Sequence, residues 1–295
     1  ALFDNPQVNK SIWNDLSVWN RSFEKQIHTS SVEITPDKEP YKFKYIMQKD
    51  KNSPVAIIYP SIGEGIQSHH STVIAKLFYD EGYSVIVQGS HFQWEFVKSM
   101  PDDYKPGIPA NDIKYLKNVT TKIVEKLEHK YNCKFQGKTV IGTSFGALTT
   151  LFLANEEYHN NTLNITKYIS ICPPIELVYA MEQVDKNGET WAQNITNLKQ
   201  DVAQTASKVI QLTNKKDELN IDKLPFSEAE GKLITGFIMH QKLSDLIFTL
   251  EKTQKNKQTD IYQTINNMNY RDYAEKYLLK NNYVNIEDMR EKTSL

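Results

Sequence analysis

Thr139-Val140-Ile141-Gly142-Thr143-Ser144-Phe145-Gly146-Ala147-Leu148 is the stretch on which the reading of this chain turns. Its first part is a β-branched apolar run of the kind that forms a buried strand, and Ala147 to Ala154 has the apolar character of a buried helix. Between the two, Gly142-Thr143-Ser144-Phe145-Gly146 fits the pattern G-x-S-x-G. Small residues on either side of the serine let strand and helix meet at a sharp turn, and the serine is pushed outward in a strained conformation. The plainer reading is an ordinary strand-to-helix turn in which glycine and serine serve backbone geometry alone. A strand before and a helix after are the context that favours the sharp turn.

Working outward, Pro54 to Tyr59 is a continuous apolar run and reads as a fully buried parallel strand. Ser71 to Asp80 reads as a helix, and Tyr83 to Val87 as a second buried strand after the turn at Glu81-Gly82. Ser31 to Ile34 and Tyr41 to Met47 alternate apolar with polar residues, as half-exposed antiparallel edge strands do. Ahead of them, Ile12, Trp13, Leu16, Trp19 and Phe23 are near helical spacing within Ser11 to Lys25, which predicts an amphipathic helix. Asn111 to Lys130 predicts a long helix entered through Pro109, with Ile113, Leu116, Val119, Ile123 and Leu127 on its buried stripe. Lys167 to Cys172 reads as a further buried strand, stopped by Pro173-Pro174. Strand alternating with helix is the pattern of a parallel sheet covered on both faces, so the fold class expected is α/β.

From Pro174 the character changes. Ile175 to Val184, Trp191 to Leu212, Ser227 to Glu251, Thr259 to Asn267 and Tyr270 to Leu279 read as helices, with no further buried strand. Ser227-Glu228-Ala229-Glu230 is a capping box, and the helix it opens carries Leu233, Ile234, Phe237, Ile238, Leu246, Ile247 and Leu250 on its apolar side. Two parts are expected: a sheet-based core over 1–173 and a mainly helical part over 174–295.

The 295 residues suffice for a large hydrophobic core, and 35 Lys+Arg against 36 Asp+Glu leave no global field that points to nucleic acid or an anionic membrane. No apolar run approaches the ~20 residues that cross a bilayer. Cys133 and Cys172 stand too far apart in the expected topology for a bridge. There is no H-E-x-x-H, no paired-cysteine spacing and no phosphate-binding P-loop, so neither a metal nor another cofactor is expected. The chain starts at Ala1. A removed signal peptide, hence export to the periplasm, is one reading of that start; a trimmed start and a cytoplasmic location is the other.

The sharp turn from Gly142 to Gly146 in its strand–helix context resembles the nucleophile elbow of the α/β-hydrolase superfamily. Gly89-Ser90-His91-Phe92-Gln93-Trp94-Glu95-Phe96 and Pro106-Gly107-Ile108-Pro109 add to it, because bacterial α/β-hydrolase-like proteins with a long late helical segment carry similar aromatic and Pro-Gly blocks. The resemblance implies an α/β-hydrolase-like parallel sheet with Ser144 as nucleophile and a helical lid from about Pro174. The backbone N–H groups of Phe145 and Ile62 would be the oxyanion donors, the second from the loop Pro60-Ser61-Ile62-Gly63-Glu64-Gly65. It further implies a small-molecule acyl substrate, a carboxylic ester or thioester, with an inactive binding or scaffolding protein as the alternative.

The family also places an acid and then a histidine on loops after two later strands, and neither strand is visible here. His159 and His240 follow Ser144, one in an Asn-rich stretch and one within a helix, and both read as structural. Three accounts stay open. A further C-terminal segment completes the fold; a histidine comes from an unusual place; or the site binds without catalysis. For the second account His69, His70 and His91 are candidates, since all three follow strands toward the carboxyl edge of the sheet. Glu176 is a candidate acid, and Asp217, in a helical context, reads as solvated.

Overall fold

A computed structural model of the protein describes residues 21–193, 198–214, 226–253 and 261–294. The expected helix from Ser11 lies outside these residues except for a helical turn, Arg21–Glu24, and Asp217 lies outside them as well. Six strands form one sheet: β1 (His28–Val32), β2 (Tyr41–Ile46), β3 (Val55–Tyr59), β4 (Ser84–Val87), β5 (Lys138–Thr143) and β6 (Lys167–Ile171). Their spatial order is β1-β2-β4-β3-β5-β6. β1 and β2 are antiparallel, as their alternating pattern predicts, and β4, β3, β5 and β6 run parallel.

Side-chain alternation along β3 sorts the core into two layers. Val55, Ile57 and Tyr59 join Phe96 of the short α2 (Trp94–Val97) and Ile113, Leu116, Ile123 and Leu127 of α3 (Pro109–Tyr131). Ala56 and Ile58 join Ala75 of α1 (His69–Asp80) on the other face. Because both faces are covered, β3 and β4 are buried along their whole length, which is why their sequences are continuous apolar runs. Pro109 opens α3 at a position where its missing N–H costs nothing, and left-handed Asn132 ends that helix.

β6 departs from the expectation of a buried strand. Its ends, Lys167 and Ile171, are exposed and its middle is only half buried. The reason is its place: among the described residues it pairs with β5 alone and forms an edge of the sheet. Both cysteines are free.

After β6 the described chain is helical: α5 (Leu177–Gln193), α6 (Leu198–Asn214), α7 (Glu228–Thr253), α8 (Ile261–Asn267), α9 (Tyr270–Tyr273) and α10 (Ile286–Thr293). α9 runs on through a π-helical segment, Ala274–Leu279, into Lys280–Asn282. The capping box ahead of α7 forms, with Ser227 and Glu230 exchanging hydrogen bonds. The apolar side assigned to α7 is buried only in its second half, where Leu243, Leu246, Ile247 and Leu250 enter the core. Phe237 and Ile238 are exposed instead. α10 was not legible as a helix because its eight residues carry one buried apolar group, Met289.

A third core cluster joins these helices to the sheet. Phe92, Phe145 and Leu148 from the sheet side pack with Val178, Met181, Leu246, Tyr270 and Leu278. No helix among the described residues is long and apolar enough to cross a membrane. Leu246 has no solvent exposure. Leu246→Ala is expected to lower stability by about 2–5 kcal/mol, read as a reduced urea midpoint, since the cavity it leaves lies where helices and sheet meet.

Candidate active site

The turn after β5 has the geometry that its glycines allow. Ser144 sits between β5 and α4 (Phe145–His159) at φ 52° and ψ −119°, a left-handed conformation that a side-chain-bearing residue adopts only under constraint. A Cβ on Gly142 would overlap the Gly146 carbonyl, and one on Gly146 would overlap the carbonyls of Tyr59 and Pro60. The helix therefore crosses directly against β5 and the end of β3. The Ser144 N–H donates to the Ile171 carbonyl at 2.9 Å, which fixes the turn to the end of β6.

Ser144 is exposed to a cavity of about 260 Å³. Its walls are mostly apolar and include Ile62, Phe92, Phe145, Leu177, Met181 and Met239. The N–H groups of Phe145 and Ile62 donate to no other group among the described residues. Among those residues the Ser144 side chain also makes no hydrogen bond at the helix cap. Of the larger apolar groups in the helical part, Met181 and Met239 reach the cavity, whereas Tyr179, Phe237 and Phe248 are exposed at the surface. The Trp191 side chain lies outside the described residues.

The loop that carries Ile62 is held from two sides. Gly63 has φ 67°, its carbonyl accepts from Gln93 Nε2 at 2.6 Å, and the Glu64 carbonyl accepts from the Ser90 N–H at 2.7 Å. From above, Lys242 of α7 donates to Glu64 Oε1 at 2.9 Å. A Cβ on Gly63 would sit 3.3 Å from the Lys242 carbonyl, so the helix backbone lies close over the loop. Burial works to raise the Glu64 pKa, but hydrogen bonds from His70, Lys242 and Ser68 together outweigh it and hold the carboxyl at about 2.

The candidate histidines are not brought together. His69 and His70 line a separate, wider groove of about 650 Å³ with Glu64, Ser68, Ser90 and Gln93. There His70 Nδ1 is 3.4 Å from Glu64 Oε1, which raises the His70 pKa. His91 is buried beside the turn, with its ring centroid 5.7 Å from that of Phe145. Glu176 does not line the serine cavity. Its carboxylate accepts from the N–H groups of Val178 at 3.2 Å and Tyr179 at 2.6 Å, capping the start of α5, and it pairs with Arg290 at 3.5 Å. His159 is exposed at the far end of α4, and His240 is half buried on α7.

Asp112 was missed in the sequence. It is buried in the first turn of α3, where an acidic residue reads as a partner for the helix dipole. Its Oδ2 accepts from the Gly107 N–H at 2.9 Å and lies 3.6 Å from His91 Nε2, while Oδ1 accepts from the Tyr104 hydroxyl at 3.0 Å. Burial pushes the Asp112 pKa up to about 7 against those two hydrogen bonds, and pushes His91 down to about 3. The one signal in the sequence was the Pro-Gly block five residues before Asp112. Lys242 was missed for a similar reason, since a lysine on a polar helix face looks solvated.

No family model and no curated protein matches the sequence. Among solved structures it is similar to a dienelactone hydrolase from Anabaena variabilis, at 13% identity and TM-score 0.37 over 52% of this chain and 68% of that one. An esterase from Pyrococcus furiosus shares 20% identity at TM-score 0.38, over 60% of each chain. One from Pyrobaculum calidifontis shares 13% at TM-score 0.41, over 58% of this chain and 53% of that one. The chain thus spans about half to two thirds of the length of these structures. Likenesses this distant say nothing of activity.

Three variants check the geometry. Gly146→Ala is expected to cost at least about 3 kcal/mol or abolish folding. Gly231→Ala, at a helical position with nothing near its Cβ, should instead stabilise by about 0.5–1 kcal/mol in the same urea titration. Lys242→Met should let the Glu64 carboxyl titrate closer to its ordinary 4.5 in an NMR pH series. Because the folded value lies below the ordinary one, Glu64 contributes stability above about pH 4.5 that is lost as pH falls toward 2, so the variant should unfold in acid at a higher pH. With a mostly parallel six-stranded sheet in the order β1-β2-β4-β3-β5-β6, helices on both faces and a left-handed serine at the turn from β5 into α4, the chain has the α/β-hydrolase fold.

Proposed function

We propose that the protein is a serine hydrolase that cleaves a carboxylic ester or thioester with an apolar acyl group through an acyl-enzyme at Ser144. The observation that carries this reading is the conformation of Ser144, φ 52° and ψ −119°, with its side chain open to an apolar cavity of about 260 Å³. Strain of this kind costs about 1–3 kcal/mol and, outside glycine, is kept where a side chain must be presented. In the reaction Ser144 Oγ attacks the carbonyl carbon while a base takes its proton. The N–H groups of Phe145 and Ile62 are the proposed donors to the oxyanion, and their having no other acceptor among the described residues supports that role. The alcohol or thiol then leaves, and water releases the acid.

The helical part over 174–295 acts as a lid on this reading. Its residues Leu177, Met181 and Met239 close the cavity and exclude water from the acyl-enzyme. The substrate is a small molecule whose acyl portion matches apolar walls, and nothing in the charge balance favours nucleic acid. A further segment of chain that adds strands beside the half-exposed β6 would complete the core.

A second reading, an inactive binding protein of the same fold, is favoured by one observation: among the described residues no histidine is hydrogen bonded to Ser144. A fluorophosphonate probe separates the two. The hydrolase reading expects one adduct on the wild-type protein, none on Ser144→Ala, and turnover of 4-nitrophenyl esters that rises with acyl length until the cavity is filled. An unlabelled wild-type protein with no esterase or thioesterase turnover would leave the binding protein.

A further inference from the structure

The helical part brings three hydroxyl-bearing residues to the wall of the serine cavity: Thr235, Tyr270 and Tyr273. Two of their hydroxyls are already engaged. Thr235 Oγ1 donates to the Gly231 carbonyl at 2.9 Å, within its own helix, and the Tyr270 hydroxyl donates to the Met239 carbonyl at 2.8 Å. The Tyr273 hydroxyl is buried and has no hydrogen-bond partner among the described residues. Leaving a hydroxyl buried and unpaired is costly, so a folded protein keeps one where something else completes it.

Exposure along the wall gives Tyr273 its place in the cavity. Ser144 and Thr235 are exposed, whereas Leu246, Tyr273 and Leu278 are 0%, 2% and 3% exposed. The cavity is therefore open beside the serine and closes on the helices that cover it. An acyl group carried by Ser144 Oγ runs inward from the open end and brings its far end toward Tyr273.

The backbone at Tyr273 is also unusual. The residue immediately precedes the π-helical segment Ala274–Leu279, in which hydrogen bonds run from i to i+5. That spacing puts Tyr273 and Leu278 on one wall of the cavity. Short π-helical turns of this kind recur at functional sites, where they re-aim side chains. The Tyr273 ring is held against that of Tyr277, centroids 5.4 Å apart.

The surroundings of the hydroxyl select what it can bind. Burial first, then the nearby Tyr270, Asp112 and Tyr277, push the Tyr273 pKa up, so the hydroxyl keeps its proton and is able to donate it to a hydrogen bond. None of those neighbours is a cation, which disfavours a carboxylate or a phosphate at the inner end. Leu246 and Leu278 beside it suit hydrocarbon. We propose that Tyr273 is a specificity-determining residue whose hydroxyl donates to a neutral oxygen, a ketone or a hydroxyl, at the far end of an otherwise apolar acyl group.

This deepens the serine hydrolase reading and rests on it for orientation, with the reacting carbonyl at Ser144 and the second oxygen at the closed end of the cavity. A plain chain of the same length would cover the Tyr273 hydroxyl without pairing it. A site built to hydrogen-bond one group rejects the analogue that lacks it for that reason.

The test is calorimetric binding to the full-chain Ser144→Ala protein. The probes are straight-chain carboxylic acids of increasing length, each paired with the keto acid that carries a ketone on its next-to-last carbon. At the length that fills the cavity the keto acid is expected to bind about tenfold more tightly than the plain acid. Tyr273→Phe in the same background should remove that preference while holding the plain acid at least as well. Without ligand, the Tyr273→Phe protein should melt no lower than its parent, since an unpaired hydroxyl is all that it loses. No keto preference at any length, a preference that survives Tyr273→Phe, no binding of either acid, or a clear drop in melting temperature would each overturn the proposal. Fluorophosphonate labelling of the wild type reports separately on Ser144. A keto preference lost in Tyr273→Phe but no labelling keeps the Tyr273 contact and sinks the hydrolase reading. Labelling with no keto preference sinks the contact and leaves a hydrolase whose acyl group is apolar to its end.

Discussion

The crossing of α4 over β5 and the end of β3 is the constraint on which the rest depends. Two backbones come within a distance that only glycine allows, at Gly142 and again at Gly146, and the chain between them must reverse in four residues. Ser144 absorbs that reversal in a left-handed conformation. The strain persists because its surroundings over-determine it: β5 is hydrogen bonded on both sides, the Ser144 N–H is tied to Ile171, and the first turn of α4 is reinforced by the Thr149 and Thr150 hydroxyls on the carbonyls of Phe145 and Gly146. The N–H of Phe145, the first of α4, has no partner within the helix or among the other described residues.

The serine cavity is shaped by helices from the second half of the chain, and their position is coupled to the loop after β3. Lys242 of α7 reaches Glu64, whose carboxylate also accepts from Ser68 at the start of α1. The partly buried pair joins α7 to the residue two places beyond Ile62. A close backbone approach at Gly63 reinforces the pair, so a shift of α7 would be felt directly by the Ile62 N–H. Farther along, the Tyr270 hydroxyl donates to the Met239 carbonyl at 2.8 Å, and Asp185 accepts from the N–H groups of Tyr270 and Arg271 at 2.9 Å each. These bonds hold α5, α7 and α9 together as one cover. The π-helical segment after Tyr273 widens the helix where Tyr273 and Leu278 form part of the cavity wall.

Beneath the cover the loop after β4 and the Pro-Gly block meet at Asp112. Its carboxylate gathers Gly107, Tyr104 and His91, and the Tyr283 hydroxyl donates to the Gly107 carbonyl at 2.6 Å, which ties the C-terminal helices to the same point. A polar knot so deeply buried is costly unless its members are satisfied.

Local physics made the sheet legible from sequence. A strand covered on both faces must be apolar at every position, so Val55 to Tyr59 and Ser84 to Val87 identify themselves, and glycines flanking a serine between strand and helix specify the turn. The capping box of α7 and the proline that opens α3 are equally local. What needed the tertiary structure was everything decided by relative placement. β6 has a buried strand's composition but lies at an edge among the described residues; Phe237 and Ile238 continue an apolar stripe but extend beyond the surface that could cover them. Glu176 turns to the N–H groups of its own helix, and His91 and Asp112, 21 residues apart, come within 3.6 Å because the loop after β4 and the first turn of α3 line one small cavity beside Phe145. Sequence periodicity fixes which face of an element is apolar, but carries no term for which distant element that face will meet.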